Sequence, residues 1–228
     1  MSKRPRLTGQ RRRQILEAAA EVIAERGLCD TRVTDVARRA GTSAALVIYY
    51  FETKDRLLTE ALTFADDRFY LQAFHELTAL DRPRDQLVRL IEMSCPQEPE
   101  VTADWTLWVE LWARAMRDPE TSRKREALDR RWRATIADIV REGQRAGEFL
   151  SVDADGFALR LTAVIDGMAV QVLLADPEVT AHRMLDTCLE MASSDLGFDA
   201  REGASVSVAV RRRSVEERAT GMQVRTRK

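Results

Sequence analysis

The sequence predicts an all-α protein in which a compact three-helix unit precedes a longer helical unit. Only 10 glycines and 6 prolines interrupt the 228 residues, and between these breaks apolar residues recur three and four positions apart, which is the spacing of one helix face. Nothing in the first 200 residues alternates strongly enough between apolar and polar to indicate a strand. We place the three-helix unit at 1–53, the helical body at 54–197 and a mobile basic tail at 198–228.

The first three helices follow the layout of a helix-turn-helix. The first is predicted to span 9–26 and to stop at Gly27. A compact second helix, "VTDVARRA", ends at Gly41. Ser43 then caps a third helix that reaches Phe51, because its side-chain oxygen can accept hydrogen bonds from the exposed amides of the first turn. Helix, glycine turn and helix in this order are typical of helix-turn-helix units.

Six further helices are predicted in the body, with breaks at or near proline, glycine and aspartate. Their spans are 54–77, 84–95, 100–117, 120–147, 156–175 and 179–195. The fifth of these approaches membrane-spanning length, but Arg160, Asp166 and Gln171 interrupt it. We therefore expect a buried interface helix, and no membrane partner.

Charge is distributed unevenly along the chain. Residues 1–56 carry 12 Lys and Arg against 7 Asp and Glu, residues 57–200 carry 16 against 27, and residues 201–228 carry 8 against 3. A basic head on an acidic body indicates that the head meets a polyanion, although charge can also vary along a chain without functional meaning.

The cysteines and histidines argue against a disulfide framework, a metal site and catalysis. The three cysteines are odd in number and form no CxxC, and no apolar signal core follows the basic N-terminus. Both features favour a reducing, cytoplasmic location. His75 and His182 lie far apart in sequence, and neither belongs to a metal-binding or nucleophile motif. We expect no cofactor, no metal and no enzymatic activity.

The third helix carries a surface suited to DNA. In "AGTSAALVIYYFETK" small residues permit a close approach to base edges, and alanine methyl groups can contact thymine methyl groups. A tyrosine hydroxyl at the edge can donate to a phosphate while its ring packs beneath. Lys54 adds a positive charge at the start of the next helix, beside that helix's N-terminal amides.

The stretch "TRVTDVARRAGTSAALVIYYFETKDRLL" resembles the DNA-binding domain of the TetR (tetracycline-repressor) family of bacterial transcription factors. The resemblance covers about 10–60. It rests on a VxDVA-type second helix, Ala-Gly-x-Ser at the turn, an aromatic-aromatic-Phe run, and Lys and Leu at fixed spacing. By position it implies that the DNA contacts come from Thr34, Arg38, Thr42, Ser43, Ala44, Ala45, Tyr49, Tyr50 and Lys54. Lys3, Arg4 and Arg6 resemble the basic arms that enter the minor groove.

The sequence departs from the family pattern at two positions. Ile48 stands where the family has a tyrosine or histidine, so one phosphate contact is expected to be missing. Arg32 stands at a position usually held by serine or threonine, so Thr31 is expected to cap the second helix instead. Tyr50 is left open between packing and DNA contact, and Tyr49 is the better candidate for that contact.

Aromatic residues concentrate in the acidic body, where three tryptophans share one helix face at i, i+3 and i+7. They either pack a core or, with three other side chains, line a cavity for an aromatic or otherwise apolar ligand. The predicted ligand-binding set is Phe64, Phe74, Met93, Trp105, Trp108 and Trp112. Asp104, Glu110 and Asp166 would select a cation in such a cavity, or are simply solvated or paired.

Two further stretches, "WTLWVELWARAMRDPE" and "LTAVIDGMAVQVLLADPEV", resemble the C-terminal domain of the BetI-like branch of the same family. This second resemblance covers about 84–197 and implies a homodimer joined by the last two long helices. Small residues would permit close helix approach and leucines would supply apolar area. The predicted interface residues are Ala163, Gly167, Val170, Leu174, Leu185 and Leu189.

Together these features predict an all-α, homodimeric transcriptional regulator. Its N-terminal three-helix helix-turn-helix domain would bind double-stranded operator DNA, and its C-terminal helical domain would bind a small-molecule effector and dimerise. The leading hypothesis is a repressor that a small apolar or aromatic ligand releases from its operator. Two alternatives stay open: a ligand-dependent activator, and a small-molecule-binding dimer with weak or lost DNA binding. The helix that starts at Lys54 is the expected lever, because it joins the head to the body.

Overall fold

The computed structural model describes residues 3–199, with side chains from residue 9 onward, and over that range the chain forms nine helices and no strand. The predicted all-α fold is therefore confirmed. The helices are α1 (Lys3–Asp30), α2 (Val33–Arg39), α3 (Ala44–Phe51), α4 (Lys54–Thr78), α5 (Pro83–Ser94), α6 (Pro99–Ala115), α7 (Pro119–Arg145), α8 (Ala154–Leu173) and α9 (Ala181–Leu196). Residues 200–228 of the predicted tail, and the predicted arm side chains of Lys3, Arg4 and Arg6, lie outside the described part.

A single glycine, Gly27, interrupts the regular helix near the end of α1. Gly27 has a φ of 79° and a ψ of 163°, which interrupts the helical conformation where the sequence predicts a stop. The hydroxyl of Thr31 donates to the Gly27 carbonyl oxygen at 2.8 Å and is fully buried. The expectation that Thr31 caps α2 is therefore wrong. Arg32 occupies the N-cap of α2, and its side chain makes no capping hydrogen bond among the described residues.

Two hydrophobic clusters divide the molecule. We call the first the head core; it consists of buried side chains of α1 to α4 together with Leu107 and Leu111 of α6. We call the second the body core; it consists of buried side chains mainly of α5 to α9, including Trp105 of α6 and Phe157 of α8. Because the first half of α4 packs in the head core, the predicted boundary between 53 and 54 falls inside one continuous cluster.

Helix α6 belongs to both cores. Leu107 and Leu111 face the head core, whereas Trp105 is buried in the body core and Trp108 and Trp112 pack against it. The helix therefore lies between the head and the rest of the body. Its position is the main feature of the fold that bears on function.

Candidate functional site

Helix α3 is held by a cap at one end and by two buried side chains. The Ser43 side-chain oxygen accepts a hydrogen bond from the Leu46 amide at 3.2 Å, as the sequence predicts. Gly41, with a φ of 60°, makes the turn that precedes this cap. Val47 and Phe51 are fully buried in the head core. One face of α3 is therefore anchored, and the opposite face is left to solvent.

The outward face of α3 is apolar and small, with an aromatic residue at its edge. Ala45 is exposed, Ile48 is 39% exposed and Tyr49 is 78% exposed. The Tyr50 ring packs partly against the head core and meets the Tyr49 ring edge-on at a centroid separation of 5.5 Å. The two adjacent tyrosines thus occupy different environments, one supporting the helix and one projecting from it.

Polar and basic side chains border this face. Thr34 and Arg38 are exposed on α2, and Arg38 pairs with Asp35 of the same helix at 3.2 Å. Thr42 and Ser43 lie in the turn before α3, and Ala44 is half-buried in its first turn. Lys54 is exposed at the start of α4, where its Nζ donates to the Cys29 carbonyl oxygen at 3.4 Å.

Arg39, also on α2, differs from these neighbours because its guanidinium is paired with two carboxylates of the same three-helix unit. Its guanidinium bonds Glu21 at 3.0 Å and Glu25 at 2.6 Å, both on α1. These hydrogen bonds raise the pKa of Arg39 further above its ordinary value. Arg39 therefore ties α2 to α1.

A cavity opens within the body, walled by helices α4 to α8 with aromatic side chains and carboxylates. It contains roughly 640 Å³ of empty space, including its opening to solvent. All four tryptophans of the chain contribute to its wall. The lining residues are Asp66, Phe69, Tyr70, Ser94, Trp105, Trp108, Leu111, Trp112, Leu128, Asp129, Trp132, Thr162, Ile165 and Asp166.

The aromatic rings of the cavity are fixed by mutual contacts. Trp105 and Trp108 meet edge-on at a centroid separation of 4.7 Å, and Phe69 also meets Trp108 edge-on at the same separation. The Trp105 Nε1 donates to the Ser94 carbonyl oxygen at 2.8 Å. Rings held in this way present fixed faces and edges to whatever enters the cavity.

Three carboxylates share the cavity with these rings. Burial raises the pKa of Asp66 to about 7 despite the nearby Arg131. Burial also raises the pKa of Asp166 to about 7, and repulsion from Asp129 adds to this increase. Burial raises the pKa of Asp129 as well, although Arg125 pairs with it at 2.7 Å. Negative charge in this cavity is thus costly unless a cation approaches it.

The three carboxylates differ in the partners they already have. Asp66 accepts a hydrogen bond from Trp108 and lies 3.6 Å from the Arg131 guanidinium. Arg131 in turn stacks over the Tyr70 ring, 3.8 Å from its centroid. Within residues 3–199 no ion pair shorter than 4 Å reaches Asp166. Asp166 is therefore the carboxylate most able to accept an incoming cation.

Residues 15–61 match the family model of bacterial regulatory proteins of the tetR family, and residues 83–196 match the model of the BetI-type transcriptional repressor C-terminal domain. The chain is 30% identical over 180 residues to the HTH-type transcriptional regulator BetI of Escherichia coli O45:K1, covering 75% of this chain and 91% of that protein. The chain belongs to the TetR family of bacterial transcriptional regulators.

Other relatives agree with this assignment. BetI of Stenotrophomonas maltophilia is 32% identical over 127 residues, which span 53% of this chain and 62% of that protein. A transcriptional regulator from Saccharomonospora viridis, solved in complex with choline, superposes with a TM-score of 0.77 at 32% identity, covering 82% and 98% of the two chains. A TetR-family regulator from Rhodococcus sp. superposes with a TM-score of 0.71 at 30% identity, covering 82% and 99%. This chain is thus a BetI-type transcriptional repressor with a helix-turn-helix head.

The structure brings half of the predicted ligand set into the repressor's cavity. Trp105, Trp108 and Trp112 line it. The other three side chains lie elsewhere: Phe64 packs against the head core, Phe74 is 51% exposed on α4, and Met93 is buried but outside the cavity wall. The sequence did not show which neighbouring helix each of these three side chains would face.

The three predicted cation selectors are likewise separated. Asp166 lines the cavity, whereas Asp104 pairs with Arg68 at 3.3 Å away from it. Glu110 faces the head, where its Oε1 accepts a hydrogen bond from the Leu28 amide at 3.0 Å. Glu110 therefore joins α6 to the end of α1.

Several lining residues were not predicted from the sequence. On α4, Asp66, Phe69 and Tyr70 stand at i, i+3 and i+4 and reach the cavity together. That spacing is a helix-face signal of the same kind as the tryptophan spacing in α6. Asp129 and Thr162 carry no comparable signal, because their contribution depends on how α7 and α8 pack.

The predicted dimer surface lies on α8 and α9 of the repressor. Ala163, Gly167 and Leu174 are exposed, Leu174 by 76%. Val170, Leu185 and Leu189 are half-buried. By length and composition α8 is also apolar enough to cross a membrane, with 33% of its most apolar window buried. The assignment of this surface to a second copy of the chain stays a prediction.

Replacing Asp166 with asparagine is expected to change how stability depends on pH. The folded-state pKa of about 7 lies above the ordinary value of 3.8, so the folded repressor keeps a proton that the unfolded chain releases. Stability is therefore lost as pH rises from about 4 to about 7, and Asp166→Asn avoids this loss. Thermal denaturation of the ligand-free protein between about pH 5 and pH 8 should show the Tm of the variant rising relative to wild type.

The matched control is Asp138→Asn on α7, whose carboxylate is exposed and paired with Arg141. Its Tm should follow that of wild type across the same range. A Tm difference between Asp166→Asn and wild type that does not change with pH would contradict the assigned pKa of Asp166.

Proposed function

We propose that this repressor binds its operator as a homodimer and is released by a small organic cation that enters the cavity between α4 and α8. Quaternary ammonium compounds are the expected class, and choline is the first candidate. The observation that carries this proposal is the joint presence of tryptophan rings and a half-buried carboxylate, Asp166, that forms no ion pair with any side chain the structure describes. Aromatic faces attract cations through their quadrupole, and quaternary ammonium groups are recognised by such rings.

The carboxylates favour a cation over the neutral apolar ligand that the tryptophans by themselves suggest. A neutral ligand would displace water and leave Asp66 and Asp166 even less solvated, which raises the cost of their charge. A permanent cation instead compensates that charge. The choline complex of the Saccharomonospora viridis relative, at 32% identity, supports the same ligand class. No covalent chemistry is required, and we propose a regulatory, non-enzymatic role in the cytoplasm.

The DNA side of the proposal uses the outward face of α3 and its border. Ala45 and Ile48 would meet base edges in the major groove, and the Tyr49 hydroxyl would meet a phosphate. The remaining contacts are assigned by position to Thr34, Arg38, Thr42, Ser43, Ala44, Tyr50 and Lys54. Dimerisation through α8 and α9 would place two such helices one DNA turn apart, roughly 34–36 Å.

Helix α6 provides the proposed connection between cavity and head. It presents Trp105, Trp108 and Trp112 to the cavity, Leu111 to both the cavity and the head core, and Glu110 to the Leu28 amide. A ligand that shifts the tryptophans would therefore shift the support of the head. Helix α4 contributes too, because it begins beside α3 and carries Asp66 into the cavity. The ligand acts by favouring the conformation in which the two heads no longer fit the operator.

Choline is expected to weaken operator binding by about 5- to 150-fold, the usual range of allosteric coupling. Fluorescence anisotropy with the intergenic DNA upstream of the gene measures this effect. The matched control is 3,3-dimethylbutan-1-ol, which has choline's shape with carbon in place of the charged nitrogen. Release by choline but not by the neutral alcohol supports the proposal. Equal release by both would show that the cavity selects shape rather than charge, and the cation proposal would be wrong.

Lys54→Ala is expected to weaken binding to all DNA sequences alike and to lower the salt slope of log K by about one unit, because one phosphate contact is lost. Binding isotherms over a range of salt concentrations measure the slope. Lys124→Ala is the control, since Lys124 pairs with Glu120 on α7 of the body. An unchanged slope for Lys54→Ala would remove Lys54 from the phosphate contacts.

Glu110→Ala is expected to reduce the effect of choline on DNA binding, because it removes the hydrogen bond between α6 and Leu28. The ratio of operator Kd with and without saturating choline should fall by roughly 2- to 30-fold relative to wild type, while choline itself still binds. Glu110→Gln retains an oxygen that accepts the Leu28 amide and should keep most of the ratio. If Glu110→Ala responds to choline as wild type does, coupling does not pass through this contact.

A further inference from the structure

Thr162 is a polar residue in the cavity wall whose hydroxyl is left without a partner. The residue is 8% exposed, and its Oγ1 makes no hydrogen bond with any described part of the chain. It lies on α8 and lines the same cavity as Asp166. Because a buried hydroxyl without a hydrogen bond is unfavourable, such a group is expected to meet a partner when the cavity is filled.

Thr162 differs from six other threonines within the described helices. Those six donate their hydroxyl to the carbonyl oxygen four positions earlier, which satisfies the group locally. They are Thr59, Thr63, Thr78, Thr102, Thr106 and Thr135. Thr162 does not use the corresponding carbonyl of Ala158. The residue lines the cavity, and its buried hydroxyl therefore keeps its hydrogen-bonding capacity for a ligand bound there.

Thr162 and Asp166 are one helical turn apart on α8. Side chains at i and i+4 lie on the same face, with about 5–6 Å between their Cβ atoms. A carboxylate and a hydroxyl at that separation form a two-point site: the carboxylate attracts a cationic centre and the hydroxyl meets a polar group a short distance away. A quaternary ammonium that carries a hydroxyl two carbons from its nitrogen presents those two groups together.

We infer that Thr162 determines specificity within this cavity by hydrogen bonding to a hydroxyl of the ligand, so that the repressor prefers a hydroxyethyl ammonium to an alkyl ammonium of the same size. This inference rests on the proposed cation-binding function and adds a second point of recognition to it. A site that hydrogen bonds a ligand hydroxyl rejects the analogue that lacks it, because its own polar group is then left unpaired.

The test compares choline with propyltrimethylammonium, in which a methyl group replaces the hydroxyl. Isothermal titration of the full-length wild-type repressor should show choline binding about tenfold more tightly, which is the effect of one hydrogen bond. Thr162→Val, which replaces the hydroxyl with a methyl group, should lose that preference by weakening choline and leaving propyltrimethylammonium unchanged or tighter. Thr162→Ser restores the hydroxyl and should restore the preference.

The outcomes separate this inference from the proposal on which it rests. If wild type binds both cations equally, the inference is overturned while the cation site stands. If neither cation binds, the cation site itself is wrong. If Thr162→Val keeps the wild-type preference for choline, another group of the protein hydrogen bonds to the choline hydroxyl, and the assignment to Thr162 is wrong. The wild-type comparison needs no variant, so the inference remains testable even if Thr162→Val does not fold.

Discussion

The burial of α6 between two hydrophobic cores is the constraint on which the rest of the structure depends. Leu107 and Leu111 are buried in the head core, and Trp105 is buried in the body core. Protein interiors are packed too closely for such a helix to move on one side while the other side stays unchanged. The helix that presents the tryptophans to the cavity is therefore also a support of the DNA-binding unit, and the two sites are mechanically linked by packing.

The cavity places two opposing demands on its residues. Aromatic rings exclude water and create a surface that a cation can approach. The same exclusion of water disfavours the charged carboxylates of Asp66 and Asp166 and raises the pKa of each to about 7. A ligand that supplies positive charge satisfies both demands at once. The unpartnered hydroxyl of Thr162 adds a polar group to a wall that is mainly aromatic, aliphatic or acidic.

Local signals predicted much of the fold. The cap at Ser43, the break at Gly27 and the prolines that begin α5, α6 and α7 are short-range features, and the corresponding helices begin or end within a few residues of the predicted positions. The prediction that Thr31 caps α2 was wrong, because the Thr31 hydroxyl donates to the Gly27 carbonyl oxygen in α1 instead. The tryptophan face was found from its spacing. The sequence did not show that Phe74 lies outside the cavity or that Glu110 is paired at the head, since periodicity shows that a residue shares a face and not which neighbour that face meets.

The sequence by itself determined the helices, the family and the residues of the outward α3 surface, because helix spacing, caps and a contiguous motif are encoded over a few positions. Only the tertiary structure decided that Asp66, Asp129, Thr162 and Asp166 share one cavity with four tryptophans. These residues come from α4, α7 and α8, which are distant in sequence. Their proximity, and the raised pKa values that follow from it, exist only when the packing of those helices excludes water from the space between them.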